Sequence, residues 1–166
     1  MHDASLLMAL YKKYQEGTLD AEKLYKMVCR ATAEALNGTR ASIWFFQGTL
    51  QDVLVCPGLY DKTTGQWQEG MQFTEDDCGP YFEDIRHNKE ILAADAHSEP
   101  ATACFNDLDF TPIERYSIAD VVIEAGGHLY GVIRCERNGQ SNWVNDDVVF
   151  LKQAAAMLGL VIKNTA

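Results

Sequence analysis

Between Ile118 and Trp143 the apolar and polar residues alternate in two runs, interrupted by Gly126-Gly127-His128. Ala119, Val121 and Ile123 alternate with Asp120, Val122 and Glu124. In the second run Leu129, Gly131, Ile133 and Cys135 alternate with Tyr130, Val132, Arg134 and Glu136. A period of two predicts a β-hairpin with its apolar set on one face. A three-residue loop over Gly126–His128 sets Ala125 opposite Leu129 and Asp120 opposite Arg134, so both apolar sets share that face. A two-residue loop at Gly126-Gly127 would instead turn Arg134 to the apolar side. The three-residue loop is therefore expected, with glycine supplying the positive φ it needs. The other face carries Asp120, Glu124, Arg134 and Glu136, more charge than a fully buried face is expected to tolerate.

The remaining pattern is mostly helical at the two ends. Leu6, Leu7, Leu10, Tyr11 and Tyr14 make a stripe over residues 3–17, and Gly17 ends that helix. Thr18 reads as the N-cap of a second helix to Leu36, with Leu24, Met27, Val28, Ala31 and Ala35 on its inner face. Asn37-Gly38 stops it. Residues 40–47 and 52–59 read as strands, Pro57 placing the second at a sheet edge or strand end. Residues 61–70 are polar and turn-rich. Thr74 and the acids after it mark a helix start, running through Tyr81, Phe82 and Ile85 to about Asn88. Residues 91–94 read as a short strand and 97–116 as irregular, with a short helix near 103–110. Asn145 caps a last helix whose stripe is Val148, Leu151, Ala154, Ala155, Leu158 and Val161. Helices, strands, a mixed middle, a hairpin and a helix give an α+β class with a mainly antiparallel sheet.

Composition narrows the function classes. The 166 residues fit one domain. A net charge of −10 without any basic run argues against a nucleic-acid or anionic-membrane surface. No apolar stretch approaches membrane-spanning length and the amino terminus lacks signal-peptide regions, so no membrane insertion and a cytoplasmic location are expected. Five isolated cysteines point to free thiols rather than a disulfide framework.

The hairpin, its Trp and the acidic start of the last helix resemble the closing half of a GAF domain. The resemblance extends through RASIWFF at 40–46, CGPYFEDI at 78–85 and AADAHSEPATACF at 93–105. Together these are similar to the sensor GAF modules of bacterial histidine kinases and diguanylate cyclases, from roughly residue 20 onwards. That subfamily carries a His after the position of Glu136 and an Arg before that of Trp143; this chain has Arg137 and Asn142. The resemblance implies a central six-stranded, mainly antiparallel sheet with terminal helices on one face. A short-helix and loop cap would cover a pocket on the other. Residues 1–18 would then form a dimerisation or signalling helix and 19–166 the GAF domain. The implied function is regulatory: a small cytosolic effector binds, and the terminal helices pass the signal to a kinase or cyclic-dinucleotide output, as in two-component systems. A homodimer is expected, through a parallel pairing of the first and last helices.

The charged hairpin face should look at residues 71–116. The candidate pocket residues are Phe73, Tyr81, Phe82, Asp95, His97, Phe105, Tyr116, Asp120, Arg134 and Glu136, aromatic walls with a few polar groups. The alternative is a covered cleft whose aromatics only pack and whose charges only pair. No cofactor is indicated. Asp95, His97, Glu99 and Cys104 follow no recognised metal-ligand spacing, and Asp95 is expected to bond backbone amides at the end of its strand. Cys78-Gly79 resembles the CG pair of GAF enzymes that reduce free methionine sulfoxide. Where those enzymes carry strand acids, this chain has Arg134 and Cys135, so a non-catalytic role is preferred and the reductase is the second reading. A ligand-free dimerisation module is the third. A bilin attachment site is disfavoured because Cys104 is followed by Phe105 rather than His. The Asn88-Lys89, Phe105 and Asp109 set falls before the hairpin, whereas the comparable set of nucleotide-binding GAF domains falls after it.

Overall fold

The computed structural model describes residues 1–165. The chain opens with α1 (Ser5–Gln15) and α2 (Ala21–Ala35), then β1 (Arg40–Gln47) and β2 (Val53–Asp61). Two short strands, β3 (Gln66–Gln68) and β4 (Met71–Thr74), precede α3 (Gly79–Asn88) and β5 (Glu90–Ala93). A 3-10 helix at Ala103–Asp107 leads to β6 (Tyr116–Ala125), β7 (His128–Asn138) and α4 (Asn145–Thr165). The strands form one antiparallel sheet in the order β3-β2-β1-β7-β6-β5, with β4 also on β2. It has seven strands rather than the six expected, because β3 and β4 divide the outer edge of β2 between them.

The hairpin puts Asp120 opposite Arg134 as the alternation requires, but by a different route. The turn is the two-residue Gly126-Gly127, both at positive φ, and not the three-residue loop. Glu124 pairs with Leu129 and Ile123 with Gly131, leaving Tyr130 as an extra residue. This bulge restores the register that a two-residue turn alone would have shifted. It also reverses the faces near the turn: Tyr130 packs on the helix side and Leu129 on the opposite side. Pro57 lies inside β2, not at its end. It falls in a bulge opposite Trp44 and in the gap between the β4 and β3 ladders, where its missing N–H costs no bond.

Two element starts also differ from the sequence reading. Asp20, not Thr18, caps α2 by accepting from the Lys23 N–H, while Thr18 donates to the Lys13 carbonyl and closes α1. Thr74 ends β4 instead of starting a helix. Asp77 accepts from the Thr74 N–H and hydroxyl, making a turn that delays α3 to Gly79-Pro80.

Helices α2 and α4 cover one face of the sheet, and α1 packs on both of them. Leu24 and Val28 of α2 and Leu151 and Leu158 of α4 share one core with Ala119, Val121, Ile123 and Ile133, which Leu7 and Leu10 join from α1. Each such side chain contributes roughly 1.5–3 kcal/mol of apolar burial. Met27, assigned to the inner face of α2 by spacing, is exposed, and the apolar stripe of α1 is split, Leu7 and Leu10 buried and Leu6 exposed. Contrary to expectation, α4 at 21 residues is long and apolar enough to cross a bilayer by length and composition. Its apolar stripe is used otherwise, packed on β6 and β7 as a core helix.

Arg137 joins the two ends of the helical layer. It donates to the Leu36 carbonyl at 2.6 and 3.0 Å and to the Ser141 hydroxyl, lies 3.4 Å from the Asp147 carboxylate, and stacks 4.0 Å from the Trp143 ring centroid. It thus ties the end of α2 to the start of α4. Asp147 completes that start by accepting from the Val144 N–H.

The central strands meet most closely at Gly131, where a Cβ would lie 2.0 Å from the Trp44 carbonyl oxygen and 3.2 Å from the Phe45 Cα. Gly131→Ala is expected to destabilise the fold by at least about 1–3 kcal/mol, the cost of overpacking a site walled by backbone. Urea denaturation reads it; a loss under about 0.5 kcal/mol, typical of a surface substitution, would contradict the close approach.

Candidate functional site

The sheet face away from the helices carries Ile118, Asp120 and Val122 from β6 with Val132, Arg134 and Glu136 from β7. α3 and the segment 95–116 cover it, and their aromatic side chains form a second core with Trp44 of β1. The charges expected to keep this face partly wet are buried: Asp120 is 0% and Arg134 3% exposed. They are tolerated because their bonding is nearly complete within the protein. Arg134 donates from Nε and Nη2 to the two Asp120 oxygens at 2.8 and 2.9 Å. Tyr81 donates its hydroxyl to Asp120 Oδ2 at 2.5 Å. Three rings enclose the guanidinium, with centroids at 4.8 Å (Phe105), 5.1 Å (Trp44) and 5.8 Å (Tyr81).

The titration shifts agree with this closed set. Burial, then the Asp120 charge, pushes the Tyr81 hydroxyl well above its ordinary value, so it stays a donor. Burial opposes the charge on Arg134, but the charge and hydrogen bonds of Asp120, joined by Tyr81 and Glu136, together outweigh it and raise the guanidinium well above its ordinary value. Burial also raises Tyr116.

A narrow cleft of about 120 Å³ opens beside the pair. Arg134 and Glu136 reach it from the sheet, Trp44, Phe105, Phe110 and Tyr116 wall it, and Thr111-Pro112 close over it. Phe110 packs on Trp44 with centroids 5.6 Å apart. At the mouth Arg40 pairs with Glu136 at 3.2 Å. Of the expected pocket residues, Phe105, Tyr116, Arg134 and Glu136 line this cleft. Phe73, Tyr81, Phe82 and Asp120 lie beneath it in the core, with Phe82 turned toward Phe46 and Arg86. Asp95 and His97 point elsewhere. Asp95 pairs with Arg115 at 3.4 Å, and His97 Nε2 lies 2.9 Å from the Pro112 carbonyl oxygen. Both hold the covering loop. Nor does the Asp95 side chain bond nearby amides: its backbone carbonyl accepts from Ser98 and Glu99, because the carboxylate has swung to Arg115.

Trp44 and Arg40 were absent from the expected pocket. The period of two in β1 carries the signal, since Arg40, Ser42 and Trp44 share a face opposite Ala41 and Ile43. Trp44 is fixed there by donating its indole N–H to the Ser42 hydroxyl at 2.9 Å. Leu59, Asp61 and Gln68 also reach the cleft, from strands whose pairing the sequence does not reveal.

The GAF domain family matches residues 20–162. No curated protein matches the chain. Among solved structures, the phycocyanobilin-bound GAF domain of a cyanobacterial phytochrome is similar at TM-score 0.77 and 12% identity, covering 99% of this chain and 96% of that one. The GAF domain of a phosphoenolpyruvate-protein phosphotransferase from Coxiella burnetii is similar at 0.71 and 16%, covering 98% and 96%. A GAF domain/HD domain protein from Geobacter sulfurreducens gives 0.66 and 11%, covering 89% and 95%.

Arg134→Met alone strands the Asp120 carboxylate and is expected to cost about 3–5 kcal/mol of stability. Adding Asp120→Leu should recover most of that loss. Urea unfolding of both variants checks it; a double variant as unstable as the single one would show that the pair does not govern this face.

Proposed function

The chain belongs to the GAF domain family, and from that premise we propose that it is a regulatory sensor domain binding a small effector in the cleft between sheet and cap. The supporting observation is the cleft itself, aromatic on its walls with Arg134 and Glu136 as its polar contacts from the sheet. Both charges already have partners, Asp120 and Arg40. That balance favours a neutral, flat, polar effector that can stack on Trp44. The volume of about 120 Å³ equals the share of roughly four waters. Anything larger must displace Phe110 and the loop behind it. Displacing that loop disturbs the His97 and Asp95 contacts at the end of β5, which pairs with β6 beneath α4. Occupancy is thereby passed to the terminal helices and on to a kinase or cyclic-dinucleotide output.

A regulatory rather than catalytic role is supported by the same pairing. Glu136 and Arg134 are held in ion pairs, and His97 is tied to the covering loop. Neither charge is free to move a proton. Native mass spectrometry of freshly purified protein is expected to show a retained small molecule, and its release should change Trp44 fluorescence. No adduct, with no Trp44 response across a metabolite collection, would overturn the sensor reading. No turnover of free methionine sulfoxide is expected with any thiol reductant; steady turnover lost in Cys104→Ser would establish the reductase instead.

The homodimer is proposed through a different surface of α1 than its spacing indicated. Leu7 and Leu10 are spent on the protein's own core, so charging them would unfold it. On α1 and α4, Leu6 (52% exposed), Met8 (71%) and Leu160 (48%) are the large apolar residues left exposed among the described residues, Met8 and Leu160 flanking a groove between the two helices. Sedimentation is expected to show a dimer for the wild type and a folded monomer for Leu6→Glu with Met8→Glu. A wild type monomeric at high concentration would end the proposal.

A further inference from the structure

On the helix side of the sheet a hollow of about 410 Å³ opens between α2 and the outer strands, more than three times the volume of the cleft over Arg134. The two share no residue. The hollow has a local origin. β3 and β4 pair with the two ends of β2 and leave Pro57-Gly58 facing Glu69-Gly70 between the ladders. Gly58 and Gly70 bring no side chain to fill that gap. Trp67 folds over Gly58 instead, where a Cβ would lie 3.5 Å from its ring. Cys29 of α2 and Ile43 of β1, each 1% exposed, close the bottom, and the half-buried Tyr25 and Trp67 form walls.

Three charges stand exposed at the mouth: Glu22, Lys26 and Glu69. Among the described residues none of them forms an ion pair. Lys26 instead holds its ammonium 5.9 Å from the Trp67 ring centroid, the outer limit of a cation–π contact. The ring thus already draws a cation, but loosely, and two carboxylates are left unanswered. In the cleft, by contrast, Arg134 and Glu136 are each matched.

We propose that this hollow is a second binding site and that its ligand is a small organic monocation, a flat apolar body carrying one ammonium group. The body fills the hollow between Tyr25 and Trp67, whose volume lies within the range of about 300–1,000 Å³ usual for small-molecule pockets. The ammonium takes the place of Lys26 over the ring and gains Glu22 and Glu69 as counter-charges. An anion would meet two carboxylates for one ammonium, and the net charge of −10 repels it at longer range. A neutral ligand would leave both carboxylates unanswered. The bound cation bridges α2 to β2 and β3. Because α2 packs on α1 and α4, occupancy reaches the terminal helices without passing through the cap. The site stands whether or not the cleft binds an effector.

The probes are phenethylamine, phenethyl alcohol and phenylacetate, which share a ring and differ in charge. NMR of the isotope-labelled native chain follows the indole N–H signals of Trp44 and Trp67, assigned with Trp44→Phe and Trp67→Phe. Phenethylamine is expected to shift the Trp67 signal saturably and to bind roughly tenfold more tightly than the alcohol, with phenylacetate weaker still. Glu22→Gln with Glu69→Gln should remove the amine's advantage, and Lys26→Gln should increase it. All three side chains are exposed, so these variants keep the fold, which the dispersion of their amide spectra checks. The proposal is overturned if the alcohol or phenylacetate binds as tightly as the amine, or if the amine's advantage survives in the double variant. It is overturned equally if no probe saturates the Trp67 signal in the millimolar range. An amine that shifts Trp44 and not Trp67 would sit in the cleft, ending this proposal and leaving the sensor reading in place.

Discussion

A buried arginine on the sheet face away from the helices sets the terms for everything above it. Arg134 cannot shed its proton, so it must be met by a carboxylate, and the hairpin register delivers Asp120 directly across. The pair in turn requires cover, since exposing one side of it to water would weaken its attraction and leave apolar neighbours wet. Tyr81 satisfies the second Asp120 oxygen, while Trp44 and Phe105 close over the guanidinium. The position of α3 and of the 3-10 helix follows from these contacts as much as from hydrophobic burial.

The same constraint shapes the cleft. With Arg134 engaged by Asp120 and Glu136 by Arg40, the cleft offers paired charge to a ligand, bounded by rings that stack rather than ionise. The similar solved structures share the fold at 11–16% identity, and a fold by itself does not name a ligand. This chain closes its cleft with Phe110 on Trp44, His97 against the Pro112 carbonyl, and Arg115 on Asp95. The cover is held by a few polar and stacking contacts, while the sheet beneath it is held by long ladders. Such an asymmetry places the low-energy motions in the cap.

Much of the architecture was legible in the sequence because burial imposes a period. β1, β6, β7 and the core stripe of α4 came through directly, each having one face committed to apolar contact. The Asp120–Arg134 pairing was legible for the same reason, although the turn was not. Ala125 through Leu129 permits either a three-residue loop or a two-residue turn with a bulge, and both give the same central register. β3 and β4 left no pattern, since three or four residues on an outer edge bury too little to impose one. Thr18 and Thr74 looked like caps, yet Asp20 caps α2 through the Lys23 N–H, and the bond from the Asp77 N–H to the Thr74 hydroxyl closes a turn that stops short of α3.

The sequence by itself determined the family and the sheet's two unlike faces. It did so because alternation and composition are properties of neighbours in the chain. Only the tertiary structure decided which aromatics line the cleft and which lie under it, that Asp95 and His97 serve the covering loop, and that Leu7 and Leu10 turn inward. These depend on where α3 and the 95–116 segment settle on the sheet. That is set by long-range packing between side chains with no fixed spacing, which a single sequence does not display.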